Sequence, residues 1–158
     1  MTRPARNLTV LAADEVPAVD RSEILEATVR RIATEEVITD AGTVIEALLD
    51  RERLAPTDVG DRVAVPHATT SAVSNVAVIV SRPATPVCFS NEGEPVSLVV
   101  VLLVPDGETA TYTPVFAAVA RTLLDDAVRD SLREASDAEE LRSRFARAVD
   151  RELAVMEE

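Results

Sequence analysis

The sequence predicts an α/β fold, in which helices pack against a β-sheet. Helical apolar patterns come early in the chain, and short valine-rich segments and further helical patterns follow them. The 158 residues contain no internal repeat and no low-complexity stretch, and this length is sufficient to bury a core. We therefore expect a single domain over residues 1–158, with its core between about residues 8 and 150.

The first two helices are predicted by their capping residues and by the spacing of their apolar residues. Asp20 is typical of a helix N-cap, and the glutamate three positions later completes a pattern similar to a capping box. A second helix begins near Asp40 and ends near Leu54. Before these helices, two short apolar segments, residues 8–11 and 16–19, are candidates for a first strand.

The strongest strand signal lies at residues 96–104, where eight of nine residues are apolar and five are valines. We interpret this segment as the central strand, ending at the turn signal Pro105-Asp106-Gly107. The near-continuous apolar segment 76–80 predicts another strand that is buried on both faces.

Three helices are predicted after the central strand. Thr113-Pro114 is typical of an N-cap followed by the first helical residue. The pair Asp125-Asp126 begins a short helix, and either Ser136 or Asp137 caps the last one.

Composition limits both the core and the chemistry. Apolar residues make up 47% of the chain and aromatic residues only 3%, so we expect an aliphatic core. All 16 basic side chains are arginines, which excludes mechanisms that need a lysine. The net charge of −12 argues against nucleic acid and anionic membrane surfaces as partners, because both attract basic proteins. It suits a partner with a basic face.

The single cysteine and the apolar runs indicate a cytoplasmic protein. Cys88 has no second cysteine with which to pair, and its neighbours Val87 and Phe89 predict that it is buried. The N-terminus lacks the apolar core of a signal peptide, and the run 99–104 is too short to span a bilayer. We therefore expect no direct membrane insertion.

The only histidine, His67, follows a short apolar segment, Val63–Val65, that Pro66 terminates. We therefore expect His67 at the C-terminal tip of a strand, where open α/β sheets gather their functional groups. Arg51 lies sixteen residues earlier, in the last turn of the second helix, and is expected to face the loop that leads to His67.

Residues at fixed positions surround this histidine: Arg51-Glu52-Arg53, Pro56-Thr57, Gly60 and Val63-Ala64-Val65-Pro66-His67-Ala68. Together they resemble the phosphorylation segment of enzyme IIA proteins of the fructose–mannitol type, from the phosphoenolpyruvate-dependent sugar phosphotransferase system. The resemblance runs from about residue 20 to about residue 148. It implies a single mixed parallel and antiparallel sheet flanked by helices on both sides.

The resemblance also implies a function. His67 would accept a phosphoryl group from the phosphocarrier protein HPr and pass it to a cysteine of a sugar-specific enzyme IIB, while Arg51 would help to hold the phosphate. Imidazole suits this role because its pKa of about 6.5 leaves much of it unprotonated near neutral pH. Hydroxyls of Thr57 and Thr69, and the helix N-terminus at Thr113-Pro114, can contribute further contacts to phosphate. The chemistry requires no metal and no other cofactor.

One position departs from the pattern. Many relatives carry a second histidine at the start of the helix after the central strand, and Tyr112 occupies that place here. Galactitol-type enzyme IIA proteins also lack this histidine. Tyr112 can donate a hydrogen bond to phosphate or simply pack. An alternative function is that of a nitrogen-type regulatory enzyme IIA, whose phosphorylation state controls its binding to other proteins. A third is a module without transfer activity.

Overall fold

The computed structural model describes residues 8–157, and within this range six strands and five helices are assigned. The strands are β1 (Thr9–Val16), β2 (Asp58–Gly60), β3 (Val63–Ala64), β4 (His67–Thr70), β5 (Ala77–Pro83) and β6 (Leu98–Pro105). The helices are α1 (Arg21–Arg31), α2 (Ala41–Leu54), α3 (Thr109–Leu124), α4 (Asp126–Glu134) and α5 (Ala138–Met156).

All six strands join one mixed sheet. Its order is β1-β5-β6-β3-β2, and β4 also pairs with β6. The β5–β6 and β2–β3 pairs are antiparallel, whereas β1–β5, β3–β6 and β4–β6 are parallel. This arrangement confirms the predicted fold class.

Strand β6 is the central strand, as its apolar sequence predicts. Because side chains alternate across a strand, its residues divide between two separate cores. Val99, Val101 and Leu103 pack with buried residues of α1 and α2 on one face. Leu98, Leu102 and their alternate neighbours pack with α3, α4 and α5 on the other. Helices therefore cover both faces of the sheet.

Aspartates cap four helices: Asp20 is predicted as a cap and Asp137 as one of two candidates, whereas Asp40 and Asp125 are predicted only as helix starts. The side chain of Asp20 accepts the backbone N–H of Glu23 at 2.8 Å, and Asp40 accepts that of Thr43 at 3.2 Å. Asp125 caps α4, and Asp137 rather than Ser136 caps α5. Each cap satisfies a backbone donor that has no partner inside its own helix.

The first strand differs from the prediction of two short candidates. A single strand, β1, runs through Thr9–Val16 and pairs with β5, including a register shift between Ala13 and Val16. Val19, predicted to belong to the second candidate, is instead 84% exposed in the loop before α1. Pairing with β5 is interrupted at Asp14 and Glu15 and resumes at Val16, opposite Pro83.

Two further predictions were wrong. Helix α3 begins at Thr109 rather than at Thr113, and Pro114 lies inside it. The first turn forms anyway, because Tyr112 donates its N–H to the carbonyl of Glu108 at 3.0 Å, ahead of the proline. Cys88 is exposed, because Val87 and Phe89 on either side point into the core and alternation turns the cysteine outward.

Candidate functional site

His67 lies where the chain passes from β3 to β4 beside the central strand. Strand β3 pairs with the first residues of β6, and His67 opens β4 opposite Leu102. The prediction of a C-terminal strand tip was therefore wrong. Pro66 does end β3, but its carbonyl accepts the N–H of Leu102 at 2.9 Å, so pairing with β6 resumes immediately at His67.

The two nitrogens of the His67 ring have different environments. Nδ1 lies 3.2 Å from the carbonyl oxygen of Val65. Because a carbonyl can only accept a hydrogen bond, this contact places the proton on Nδ1. The other nitrogen, Nε2, is then the unprotonated one, and the ring as a whole is half-buried. The geometry therefore selects Nε2 as the nucleophilic atom.

Two aromatic residues of α3 pack against the edge of this imidazole. The ring centroids of His67 and Tyr112 are 6.3 Å apart, and those of His67 and Phe116 are 5.7 Å apart, both in edge-on arrangements. Tyr112 and Phe116 are one helical turn apart and stack at 5.5 Å. Phe116 is not among the site residues predicted from the sequence, because an apolar residue on a helix is usually part of the core.

Arg51 influences the ionisation of Tyr112, which packs against His67. Arg51 is half-buried in the last turn of α2 and donates from Nη1 to the carbonyl of Ala55 at 3.1 Å. Burial raises the pKa of the Tyr112 hydroxyl, and the positive charge of Arg51 opposes that rise. The charge of Arg51 therefore acts on the Tyr112 hydroxyl. Tyr112 is a neutral phenol at physiological pH.

The two threonines differ. Thr69 is exposed in β4 and lies two residues after His67, so both side chains are on the same face of the strand. Thr57 is buried, and its hydroxyl donates to Oε1 of Glu52 at 2.7 Å. The Thr57 hydroxyl is therefore occupied inside the protein, in contrast to its predicted contact with phosphate. The N-terminus of α3 is at Thr109, one turn before the predicted Thr113, so the predicted helix N-terminus at Thr113 is not present.

An apolar groove of about 180 Å³ opens beside the histidine. Val59 and Val65 line one wall, and Phe116 and Leu124 lie on the other. Val59 is 63% exposed and Leu124 is 75% exposed, although both are large apolar residues. Phe116 belongs to both the groove and the imidazole contact, so the two features form one continuous surface.

Neither a metal-binding cluster nor a membrane-spanning helix is present in the described part of the chain. Within residues 8–157, no group of three or more His, Cys, Asp and Glu side chains is arranged to hold a metal ion. In the same part of the chain, no helix has both the length and the apolar character needed to cross a bilayer.

The fold and site define a class: an α/β protein that presents a single oriented imidazole against Tyr112 and Phe116, with Phe116 shared by an apolar groove. Comparison with known proteins identifies the family. Residues 11–148 match the model of the phosphoenolpyruvate-dependent sugar phosphotransferase system, EIIA 2. The chain belongs to this family, whose members are phosphoryl carriers.

The similar proteins include nitrogen regulatory proteins and sugar-specific EIIA components. The chain is 34% identical over 139 residues to a nitrogen regulatory protein of Pseudomonas aeruginosa, which covers 87% of both proteins. It is 32% identical to a fructose-specific EIIA component of Haloferax volcanii, covering 72% of this chain and 74% of that protein. The crystal structure of nitrogen regulatory protein IIA-Ntr from Neisseria meningitidis superimposes with a TM-score of 0.75 at 28% identity, covering 89% of this chain and 97% of that one.

Proposed function

We propose that this protein carries a phosphoryl group on Nε2 of His67, accepting it from the phosphohistidine of HPr. The observation that carries the proposal is the Nδ1 contact with the Val65 carbonyl at 3.2 Å, which leaves the Nε2 lone pair free. This lone pair attacks phosphorus, the P–N bond of the donor breaks, and its electron pair returns to the donor imidazole. The Val65 carbonyl then stabilises the positive charge that develops on the His67 ring.

Arg51 and Thr69 supply the electrostatic part of the transfer. The transition state of phosphoryl transfer is loose and spreads negative charge over the phosphoryl oxygens. A guanidinium can bind two of these oxygens at once, and an exposed hydroxyl on the same strand face as His67 can donate to a third. The neutral phenol of Tyr112 adds a further donor at the rim without adding negative charge.

The apolar groove is the surface on which we place HPr. A donor can transfer its phosphoryl group only if its own histidine reaches His67, so it must cover the surface around that ring. The groove shares Phe116 with the imidazole contact and exposes Val59 and Leu124, as expected for a docking surface that is covered in the complex.

The proposed output is transfer to an enzyme IIB cysteine for uptake of a sugar of the fructose, mannitol or galactitol class. The thiolate attacks phosphorus, and Nε2 of His67 recovers its lone pair as the P–N bond breaks. The fructose-specific relative supports this output. Tyr112 in place of the second histidine favours the galactitol type, because enzyme IIA proteins of that type also lack this histidine.

A second output is regulatory, with phosphorylation of His67 deciding which proteins the chain binds. The nitrogen regulatory relatives favour it, because they cover most of this chain in both sequence and structure. Both outputs use the same phosphorylated site, so the site alone is compatible with either.

Phosphorylation is tested by incubating the chain with labelled phosphoenolpyruvate, enzyme I and HPr. We expect one acid-labile phosphate per chain and none on His67→Ala. Cys88→Ser is the matched control, because Cys88 is exposed and is the other candidate acceptor among the strong nucleophiles. It should label like the wild type. A labelled His67→Ala variant would contradict the proposal.

The outputs are separated by mixing the labelled protein with the enzyme IIB proteins of its own organism. Movement of the label to an IIB cysteine supports sugar uptake. If no label moves, and a partner protein binds only one phosphorylation state of the chain, the regulatory output is supported instead.

A further inference from the structure

Glu52 is a buried carboxylate that the proposed transfer does not yet use. It lies in α2 directly after Arg51 and is only 2% exposed. Both of its oxygens accept hydrogen bonds from a single residue: Oε2 from the N–H of Thr57 at 2.8 Å and Oε1 from the Thr57 hydroxyl at 2.7 Å. A buried carboxylate is costly without donors, so these bonds hold Thr57 in a defined position.

The hydrogen bonds continue from Thr57 to the histidine. The carbonyl of Thr57 accepts the N–H of Val65 at 3.0 Å. The carbonyl of the same residue, Val65, accepts the proton on Nδ1 of His67 at 3.2 Å. The path therefore runs from helix α2 through the loop before β2 to the segment that orients the imidazole.

Arg51 holds the same loop from its other end. Its Nη1 donates to the carbonyl of Ala55 at 3.1 Å, two residues before Thr57. Two successive residues of α2 therefore bind the loop 55–57. The half-buried Arg51 binds Ala55, and the fully buried Glu52 binds Thr57. Moving this loop would displace the Val65 carbonyl and the guanidinium together.

We propose that Glu52 is a positioning residue that fixes the His67 ring with its proton on Nδ1 and Nε2 unprotonated. It acts through Thr57 and Val65 and does not touch the phosphoryl group. The consequence for transfer rests on the proposed function, whereas the orientation of the ring can be measured without any phosphoryl donor.

The experiment uses the fact that the chain contains one histidine, so long-range nitrogen–proton NMR spectra of the full chain report on His67 alone. In the wild type we expect the signature of a ring protonated on Nδ1. Glu52→Ala should shift it toward a mixture of tautomers, and it should slow phosphorylation by HPr at least tenfold, the order expected for a small misplacement of a reacting group.

Other variants separate positioning from general destabilisation. Glu52→Gln keeps an acceptor for the N–H and a donor for the hydroxyl of Thr57, so its tautomer and rate should be closer to the wild type than those of Glu52→Ala. Thr57→Val removes only the hydroxyl bond and should have an intermediate effect. Leu25→Ala removes a fully buried side chain of α1, outside the hydrogen-bond path from Glu52 to His67, and is the control for loss of core packing.

The proposal is overturned if Glu52→Ala keeps the wild-type tautomer signature, or if Leu25→Ala changes that signature equally. If Glu52→Ala does not fold, Thr57→Val decides, and an unchanged signature in that variant also overturns the proposal. Absence of phosphorylation in the wild type would defeat the proposed function alone, because the tautomer measurement would still stand.

Discussion

The chemistry of the His67 imidazole follows from what its neighbours can and cannot do. The Val65 carbonyl can only accept, so it assigns the proton to Nδ1. Tyr112 and Phe116 contact the ring in T-shaped arrangements and carry no charge, so they shield it without competing for the phosphoryl group. An ordinary residue type thus becomes a directed nucleophile through three contacts.

Arg51→Lys should slow phosphorylation by HPr about tenfold, while Arg51→Ala should slow it about a hundredfold, as when one transition-state donor is removed. Lysine keeps the positive charge but cannot offer two parallel N–H groups to the phosphoryl oxygens. Initial rates at fixed HPr concentration measure the effect.

The control for Arg51→Lys lies two residues along the chain. Arg53 is on the surface of the same helical turn, where it pairs with Asp50. Arg53→Lys should retain the wild-type rate. Equal losses in the two lysine variants would show that the position of Arg51 near the site has no special importance.

The β2–β3 turn shows how secondary-structure elements shape the site. Gly60, Asp61 and Arg62 all have positive φ angles, of 89°, 54° and 62°. Such angles are strained for the two residues that have side chains. Arg133 of α4 donates to the Asp61 carbonyl at 2.6 Å, and Ser97 donates its N–H to the Arg62 carbonyl at 2.8 Å. These bonds tie the turn to α4 and to the residue before β6, and the groove lies between the turn and α3.

Leu124→Glu should raise the KM for phosphorylated HPr about tenfold and leave the maximal rate nearly unchanged, because it places a charge at the rim of the groove and not at the reacting atoms. The variant should stay folded, since Leu124 is 75% exposed. Steady-state kinetics with HPr as the varied substrate measure this.

Val19→Glu provides the comparison, because Val19 is also an exposed apolar residue but lies in the loop before α1, outside the groove. Its KM should match that of the wild type. An unchanged KM in Leu124→Glu would remove the groove from the docking surface.

The whole molecule consists of two apolar cores separated by the sheet, and one ion pair ties the edge of that sheet to the helical layer. Arg82 in β5 binds Asp14 in β1 through two hydrogen bonds of 2.7 Å. Its Nη1 also donates to the carbonyls of Leu132 and Arg133 at the end of α4, both at 3.1 Å. One mostly buried guanidinium therefore connects β1, β5 and α4.

This ion pair predicts a pH dependence of stability. The hydrogen bonds from Arg82 hold the pKa of Asp14 below its usual 3.8 in the folded protein. The unfolded state therefore binds this proton more readily, so the stabilisation is complete above about pH 3.8 and is lost as the pH falls through the lower, folded-state pKa. At pH 7, Asp14→Asn should lower the free energy of unfolding by about 1.5 kcal/mol, the order of one hydrogen bond to a charged group.

Urea unfolding of both proteins between pH 2.5 and pH 7 measures the difference, which should shrink below about pH 3.8. Glu139→Gln is the matched control, since Glu139 pairs with Arg142 in a solvent-exposed position and its loss should change stability little. A difference between Asp14→Asn and the wild type that is independent of pH would contradict the assignment.

The sequence by itself determined the local features of this protein. The cap at Asp20, the start of the second helix near Asp40, the central strand and the motif around His67 depend on residues close together in the chain, so composition and spacing predict them. Motif resemblance also identified the family before any contact was known. These features can be predicted without knowing how the chain packs, because each is a property of a few neighbouring residues.

Only the tertiary structure decided how the site works. The exposure of Cys88 and the contact of Phe116 with the imidazole depend on how distant segments pack. The start of α3 and the path from Glu52 through Thr57 to Nδ1 join residues that are closer in the chain, but composition and spacing do not show which polar groups pair once the chain has folded. Contacts between residues far apart in the chain leave no periodic signal in the sequence, because they arise from the register of strands and the packing of helices upon them.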